Sequence, residues 1–175
     1  DNSYSRDCFC DRCQRLFAER GGDWNDFRRA NIDALVGGLS ERLRRDYPKV
    51  ELSIAARANA GNGAVNGDAQ NWPMWCRKGW LDFICPMDYT AVTPLFRNIY
   101  REQAEAIRGT GVALYPGIGI SCWGEDDGDN ARRFAKHVLQ LREDGCRGFT
   151  VFALEQRDLP ALRLMATGPF AGNLR

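Results

Sequence analysis

Apolar residues recur along the chain at two spacings, one typical of helices and the other of short buried strands. Apolar positions three or four residues apart predict helices over residues 14–20, 24–47, 72–78, 93–108, 131–142 and 158–165. Short apolar runs predict strands over residues 50–56, 81–85, 112–115 and 148–153. Asp23 and Thr93 are the predicted N-caps of the second and fourth helices. After its opening helices, the chain therefore alternates between strand and helix.

This alternation predicts an α/β fold with a parallel sheet and right-handed crossovers. Residues 1–175 are long enough for a single domain. Two architectures fit the pattern: about four units of a (β/α)8 TIM barrel, or a small doubly wound parallel sheet. The long helix over residues 24–47 has no strand before it, which favours the portion of a larger barrel.

Polar residues follow the predicted strands at their carboxyl ends. Asp88 and Tyr89 come just after the strand over residues 81–85, and Glu155 follows the last strand. Parallel α/β proteins present their chemistry at this edge of the sheet. The sequence therefore predicts that the functional residues lie there, with the rest of the chain as their scaffold.

Charge and hydropathy narrow the class of partner. The chain has 24 Lys and Arg against 23 Asp and Glu, so a net charge of +1 gives no electrostatic case for binding nucleic acid or a membrane surface. No apolar run approaches the roughly 20 residues that span a bilayer. The first residues lack the features of a signal peptide, and the compartment stays open between the cytoplasm and export.

Cysteine spacing suggests a metal site near the start of the chain. Cys8, Cys10 and Cys13 have a spacing at which three thiolates can share a tetrahedral zinc ion, with a fourth ligand from elsewhere. Free thiols or a partial disulfide are the alternatives. The other cysteines sit singly in apolar surroundings, and we expect them to be small buried side chains: Cys76, Cys85, Cys122 and Cys146.

Several segments in the same order resemble the family-10-like glycosyl hydrolases and their relatives. They are Cys10-Asp-Arg-Cys13, Trp24-Asn-Asp-Phe-Arg-Arg29, Gly79-Trp-Leu-Asp-Phe-Ile-Cys-Pro-Met-Asp-Tyr89, Tyr115-Pro-Gly-Ile-Gly119 and Gly148-Phe-Thr-Val-Phe152. The resemblance implies that the strands are the fifth to eighth of a TIM barrel that acts on glycosidic bonds of a polysaccharide. It implies no organic cofactor, and it places an acid of the fourth barrel strand before Asp1. The cysteine cluster resembles the structural zinc site of some barrel beta-galactosidases.

Hydrolysis of a glycosidic bond usually needs two carboxyl groups, one as acid and one as nucleophile or base. Within this resemblance Asp88 and Glu155 are the candidate catalytic residues, because both follow a strand. A structural hydrogen bond to a neighbouring loop is the alternative role for Asp88. The acidic run over residues 125–127 is expected to be a solvated turn. The only histidine, His137, is expected to be a solvent-side or boundary residue of its helix.

Aromatic and polar loop residues are the candidate contacts to a carbohydrate. Tyr89 and Trp123 could stack on sugar rings, while Arg57 and Asn59 could bind hydroxyls or an acidic sugar. Bracing of their own loop is the alternative for Arg57 and Asn59. The indoles at positions 72 and 75 are expected in the core, where a helix packs on the sheet.

Two other functions remain open from the sequence. One is a non-catalytic barrel that binds carbohydrate but lacks the acids, because no carboxyl residue ends the third predicted strand. The other is a small doubly wound domain with an interaction role. A half barrel would expose two sheet edges and an apolar interior, so we also expect possible self-association through those edges.

Overall fold

The computed structural model describes residues 10–61, 63–124 and 127–167. Its α-helices are α1 (Asp11–Arg20), α2 (Trp24–Asp46), α3 (Trp72–Arg77), α4 (Thr93–Ala106), α5 (Asp127–Glu143) and α6 (Leu159–Thr167). They agree with the helices predicted from apolar spacing to within a few residues at each end. Within these described ranges, no helix is long and apolar enough to cross a membrane.

All strand pairs in the described residues are parallel, as the strand–helix alternation predicts. The strands are β1 (Ser53–Arg57), β2 (Phe83–Met87), β3 (Ala113–Leu114), β4 (Gly117–Ile118) and β5 (Thr150–Val151). One sheet has the order β1-β2-β3, and a second pairs β4 with β5. The fold is therefore mixed α/β with small parallel sheets, and the strands are shorter than predicted.

The third predicted strand is divided between the two sheets at Tyr115 and Pro116. The Tyr115 N–H still donates to Ile84 O of β2 at 2.9 Å. Immediately afterwards, the Thr150 N–H of β5 donates to Pro116 O at 3.1 Å. One extended segment therefore pairs first with β2 and then with β5, so the strands follow one another in space in their chain order.

The two faces of this strand series differ in exposure. Ile84 and Ile118 are fully buried against the helices, because alternate side chains of a strand point to the same face. The opposite face, called here the open face, carries Ser53 and Ala55, which are exposed. Since Ser53 pairs with Phe83 in register, the odd-numbered residues of β2 lie on the open face too.

Two apolar clusters hold the helices onto the buried face. One contains Trp72 and Trp75 of α3, and their predicted core position is confirmed. The Trp75 Nε1–H donates to Asp33 Oδ1 of α2 at 2.5 Å, which satisfies this buried donor. The other cluster joins α4 and α5 around Phe96 and Phe134. Burying each such side chain stabilises a fold by about 1.5–3 kcal/mol.

The start of α2 follows the prediction, but its apolar stripe does not. Asp23 Oδ1 accepts hydrogen bonds from the N–H groups of Asn25 (2.8 Å) and Asp26 (3.1 Å). The buried face is centred elsewhere on the helix, at Phe27, Gly37 and Ser40. Three apolar residues of the predicted stripe are exposed as a result: Ile32, Leu35 and Leu39.

The predicted cap of α4 is wrong by one residue. The helix begins at Thr93, and Val92 occupies the N-cap position without a side-chain hydrogen bond. Pro94 then lies in the first turn, where its missing N–H leaves no helical hydrogen bond unmade. Helix α4 leaves the carboxyl end of β2 at this point and returns along the buried face.

Candidate functional site

The carboxyl ends of β1, β2, β4 and β5 bring most of the sequence-predicted residues to one edge. Arg57 ends β1, and Asp88 and Tyr89 directly follow β2. Phe152 follows β5, three residues before Glu155. Their side chains do not converge on one point, however, because successive residues of a strand point to opposite faces.

Asp88 points away from the open face. It is 1% exposed, and its Oδ1 accepts a hydrogen bond from Gln103 Nε2 of α4 at 2.7 Å. Ile84 and Pro86 precede it on the same buried face of β2. The carboxyl group therefore lies between the end of β2 and α4, away from the open face. This geometry favours the structural alternative for Asp88, while its catalytic role stays a prediction without geometric support.

Burial also changes the acidity of Asp88. Removal from water disfavours the carboxylate and raises the pKa of Asp88 to about 8, although the hydrogen bond from Gln103 lowers it. A raised pKa favours the neutral acid over the carboxylate at this buried position.

Gln103 is a site residue that the sequence analysis missed. Its Nε2 donates both to Asp88 Oδ1 and to Ala58 O, the latter in the loop after β1, each at 2.7 Å. Gln103 occupies an apolar-stripe position of α4, in line with Phe96, Tyr100 and Ile107, and it is fully buried. A polar residue within a buried stripe was the signal that could have identified it.

Tyr89 lies on the open face and stacks on Phe152. Their ring centroids are 4.9 Å apart with an interplanar angle of 11°. Gly119 makes this position possible, because a Cβ there would lie 2.6 Å from Tyr89 Cβ. The Phe152 side chain is 51% exposed, so the stacked pair presents aromatic surface to solvent. Phe152 belongs to one of the segments that resemble the family, but it was not predicted to contact carbohydrate.

Ser121 fixes the end of β5 beside this pair. Its Oγ donates to Phe152 O at 3.2 Å and accepts from the Ala153 N–H at 2.9 Å. These two hydrogen bonds connect the turn after β4 to the chain that carries the Phe152 ring. The stacked aromatic pair is therefore held from both the β4 and β5 sides.

Arg57 and Asn59 are both engaged in the loop after β1. The Arg57 guanidinium forms an ion pair with Asp68, and its backbone N–H donates to Gln70 Oε1 at 2.9 Å. Asn59 Oδ1 accepts from the Gly61 N–H at 2.7 Å in a local turn. These contacts brace the loop, as the alternative interpretation expects, while Arg57 stays half-buried at the open face. Carbohydrate contact by either residue stays a prediction.

Glu155 begins the 3-10 turn Gln156–Asp158 rather than facing Asp88. Its side chain accepts from the backbone of Asp158, and Asp158 Oδ2 accepts from the Glu155 N–H at 2.8 Å. This reciprocal capping box gives Glu155 a local structural task on an exposed segment. Its catalytic role stays a prediction. Glu125 and Asp126 of the acidic turn lie outside the described residues.

Trp123 lies in the core rather than on an exposed loop. It is only 8% exposed and stacks on His137, with ring centroids 5.0 Å apart. This burial favours a packing role over the sugar-stacking role, which stays a prediction. The expected solvent-side or boundary position of His137 is wrong, because this residue is fully buried between Trp123 and Phe96. Burial lowers the pKa of His137 to about 4.

The structure does not test the predicted zinc site. Cys8 lies outside the described residues. Cys10 is the N-cap residue of α1, and Cys13 lies in the first turn of this helix. Among described residues, no group of three or more His, Cys, Asp and Glu side chains is placed to hold a metal ion. Of the other cysteines, Cys76 is buried as expected, but Cys122 is exposed.

Comparison with protein families gives a match over most of the chain. A family model described as glycosyl hydrolase-like 10 matches residues 4–125, well over half of the 175-residue chain. The matched residues include α1, α2, β1 to β4 and the Tyr89 side of the stacked pair. No curated protein matches the chain.

Proposed function

The chain belongs to the glycosyl hydrolase-like 10 family, and from this premise we propose that it binds carbohydrate at the carboxyl edge of its strands. The site comprises the open face around Tyr89 and Phe152. We also propose that the protein hydrolyses glycosidic bonds of a polysaccharide. No organic cofactor is needed for binding or for carboxyl-catalysed hydrolysis.

The stacked Tyr89–Phe152 pair is the observation that carries the proposal. Carbohydrate rings have apolar C–H faces, which pack well against flat aromatic surface. Phe152 is exposed and Tyr89 is half-buried, so the pair offers such a surface in a fixed orientation. Rigid aromatic side chains also lose little conformational entropy on binding.

Polar groups next to the aromatic pair can supply directional contacts. The Arg57 guanidinium reaches the same edge from β1, where Asp68 orients it. Several N–H donors in a rigid fork suit vicinal hydroxyls or the carboxylate of an acidic sugar. Asn59 is more exposed on the same loop and is the second polar contact in this proposal.

We further propose that the strands form part of a (β/α)8 barrel, with the open face turned to the barrel interior. The chain order of the strands supports this arrangement. A doubly wound sheet would reverse its strand order at a switch point. The exposed apolar face of α2 also supports it, since a preceding βα unit of a barrel would cover that face.

A non-catalytic carbohydrate-binding role is the second candidate. The two candidate carboxyl groups favour it, because Asp88 is buried against Gln103 and Glu155 is part of a capping box. Glycan binding without hydrolysis would select this candidate. Zinc bound by Cys8, Cys10 and Cys13 would stabilise the start of α1 in either case and take no part in the chemistry.

Binding is tested by titrating a panel of oligosaccharides into the chain and its variants. We expect Phe152→Ala and Tyr89→Ala to weaken binding of the best ligand at least about tenfold, which corresponds to about 1.4 kcal/mol. Tyr47→Ala is the matched control, because Tyr47 is an exposed aromatic residue at the far end of α2. Equal binding by all three variants would contradict the proposed site.

Hydrolysis is tested by measuring reducing-sugar release from the same glycans. Catalysis by the predicted carboxyl groups requires that Asp88→Asn or Glu155→Gln lowers the rate by at least about a hundredfold. Unchanged rates in both variants would remove these residues from the mechanism. Binding with no turnover by any form would select the non-catalytic candidate.

A further inference from the structure

Asp88 and Gln103 form a buried polar pair that the proposed carbohydrate site does not use. Both side chains are almost completely buried, at 1% and 0% exposed. The amide nitrogen of Gln103 donates to Asp88 Oδ1 at 2.7 Å and to Ala58 O at the same distance. One amide group thus connects α4 with the loops that follow β1 and β2.

The remaining oxygen of each side chain poses a chemical problem. Among the residues that the structure describes, Asp88 Oδ2 and Gln103 Oε1 have no hydrogen-bond donor, and both atoms are buried. Both oxygens are hydrogen-bond acceptors. The two side chains therefore share one hydrogen bond, and each also keeps one unsatisfied acceptor. An unsatisfied buried polar group destabilises the folded state, and an unsatisfied buried carboxylate does so more strongly.

A single proton would satisfy both oxygens. We propose that Asp88 is protonated in the folded protein and forms a cyclic acid–amide pair with Gln103. In this pair the Asp88 Oδ2–H donates to Gln103 Oε1 while Gln103 Nε2 donates to Asp88 Oδ1. The proton comes from solvent when the chain folds, no covalent bond changes, and no charge is left in the buried site.

The surroundings of the pair agree with a neutral acid. Burial raises the pKa of Asp88 to about 8 despite the hydrogen bond from Gln103. On the β1 side, Arg57 is paired with Asp68. On the β2 side, Tyr89 follows in sequence, and burial raises the pKa of its phenol, which keeps this neighbour uncharged. The charged residues of α4 next to Gln103 are exposed, Glu102 among them.

The pair places Gln103 as a positioning residue for the candidate site. Asp88 is directly followed by Tyr89, and the Thr90 N–H donates to Asp88 O at 2.7 Å. Holding Asp88 against α4 therefore fixes the chain at the point where the Tyr89 ring turns to the open face. Ionisation of Asp88 would weaken this attachment from the buried side.

The direct test measures the Asp88 carboxyl group in the wild-type chain. We expect the 13Cγ resonance of Asp88, followed by NMR, to stay that of the protonated acid at pH 6 and to titrate near pH 8. A titration near the ordinary value of about 4 would overturn the proposal. This measurement needs no variant and is independent of glycan binding.

Variants test the cyclic geometry. In Asp88→Asn, the new amide can donate to Gln103 Oε1 and accept from Gln103 Nε2, so we expect the pair to survive without its proton. Gln103→Leu leaves both Asp88 oxygens without a partner and should lower the melting temperature by several degrees. Asn98→Leu and Glu102→Gln are matched controls, because both positions are exposed on α4. An Asp88→Asn variant as unstable as Gln103→Leu would overturn the proposal.

The pH profile separates a proton-bearing pair from a merely structural contact. A raised folded pKa means stabilisation that is complete below about pH 4 and lost as the pH rises through about 8. Across this window, the unfolding constant of wild type relative to Asp88→Asn should rise by up to about tenfold per pH unit. A constant ratio would contradict the proposal, whereas failure of glycan binding alone would leave this result unchanged.

Discussion

At the residue scale, direction and burial decide what each candidate group can do. Asp88 and Tyr89 are neighbours in sequence, yet one is buried against α4 and the other stacks on Phe152 at the open face. The same contrast holds for Trp123, which is part of the core although it follows a strand end. The chemistry of the site is therefore divided between a buried acid and an exposed aromatic surface.

His137 gives a residue-scale prediction of acid sensitivity. Its folded pKa of about 4 is below the ordinary 6.5, so its stabilisation is present above pH 6.5 and is lost as the pH falls towards 4. The full loss is about 3 kcal/mol, taking about 1.4 kcal/mol per unit. His137→Leu should remove this part of the pH dependence, as measured by chemical unfolding at a series of pH values.

The effects of His137 and Asp88 oppose each other between pH 4 and 6.5. Asp88→Asn should therefore lose stability towards acid pH through His137 alone. His137→Leu should lose stability towards alkaline pH through Asp88 alone. A His137→Leu variant that still loses the same stability towards acid pH would contradict the assignment to His137.

At the element scale, glycines set how closely the third strand segment approaches β2. A Cβ at Gly117 would lie 2.5 Å from the backbone oxygen of Pro86, and one at Gly119 would meet the Tyr89 side chain at 2.6 Å. The apolar pattern predicted this segment as a strand. The glycines explain why it can pass beneath the Tyr89 ring where it pairs with β5.

Gly119→Ala tests this close approach. We expect it to lower stability by about 1–3 kcal/mol and to weaken glycan binding, because the Tyr89 ring must move. Gly38→Ala is the matched control, since a Cβ there meets nothing within 4 Å on exposed helix α2. That control should stabilise the chain by about 0.5–1 kcal/mol. Thermal unfolding and ligand titration measure both effects, and an unchanged Gly119→Ala variant would argue against the packing described.

At the scale of the whole molecule, large apolar side chains are exposed in two places. Leu35 of α2 is 66% exposed, next to Ile32 and Leu39, and Phe152 is exposed at the other end of the strand series. An exposed apolar helix face such as that of α2 is typical of a surface that packs against another segment, and self-association through it stays a prediction. The unpaired edges of β1 and β5 in the described residues add unpaired backbone groups.

Self-association is the corresponding prediction. We expect the isolated 175-residue chain to show concentration-dependent dimers or larger species in sedimentation velocity experiments. Leu35→Lys should shift the distribution towards monomer, because it places charge in the exposed apolar face. Glu41→Lys is the control on an exposed part of the same helix. A stable monomer at all concentrations would instead favour a self-contained α/β domain.

The amino-acid sequence by itself determined the helices, the parallel strands, the buried positions of Trp72 and Trp75, and the family. These follow from local spacing and ordered motifs, which need no knowledge of distant contacts. Only the tertiary structure decided that Asp88 meets Gln103, that Tyr89 meets Phe152, and that His137 is enclosed. The physical reason is that the partner of each residue lies on another element, as Phe96 of α4 does for His137 of α5. The direction of a side chain depends on how those elements pack.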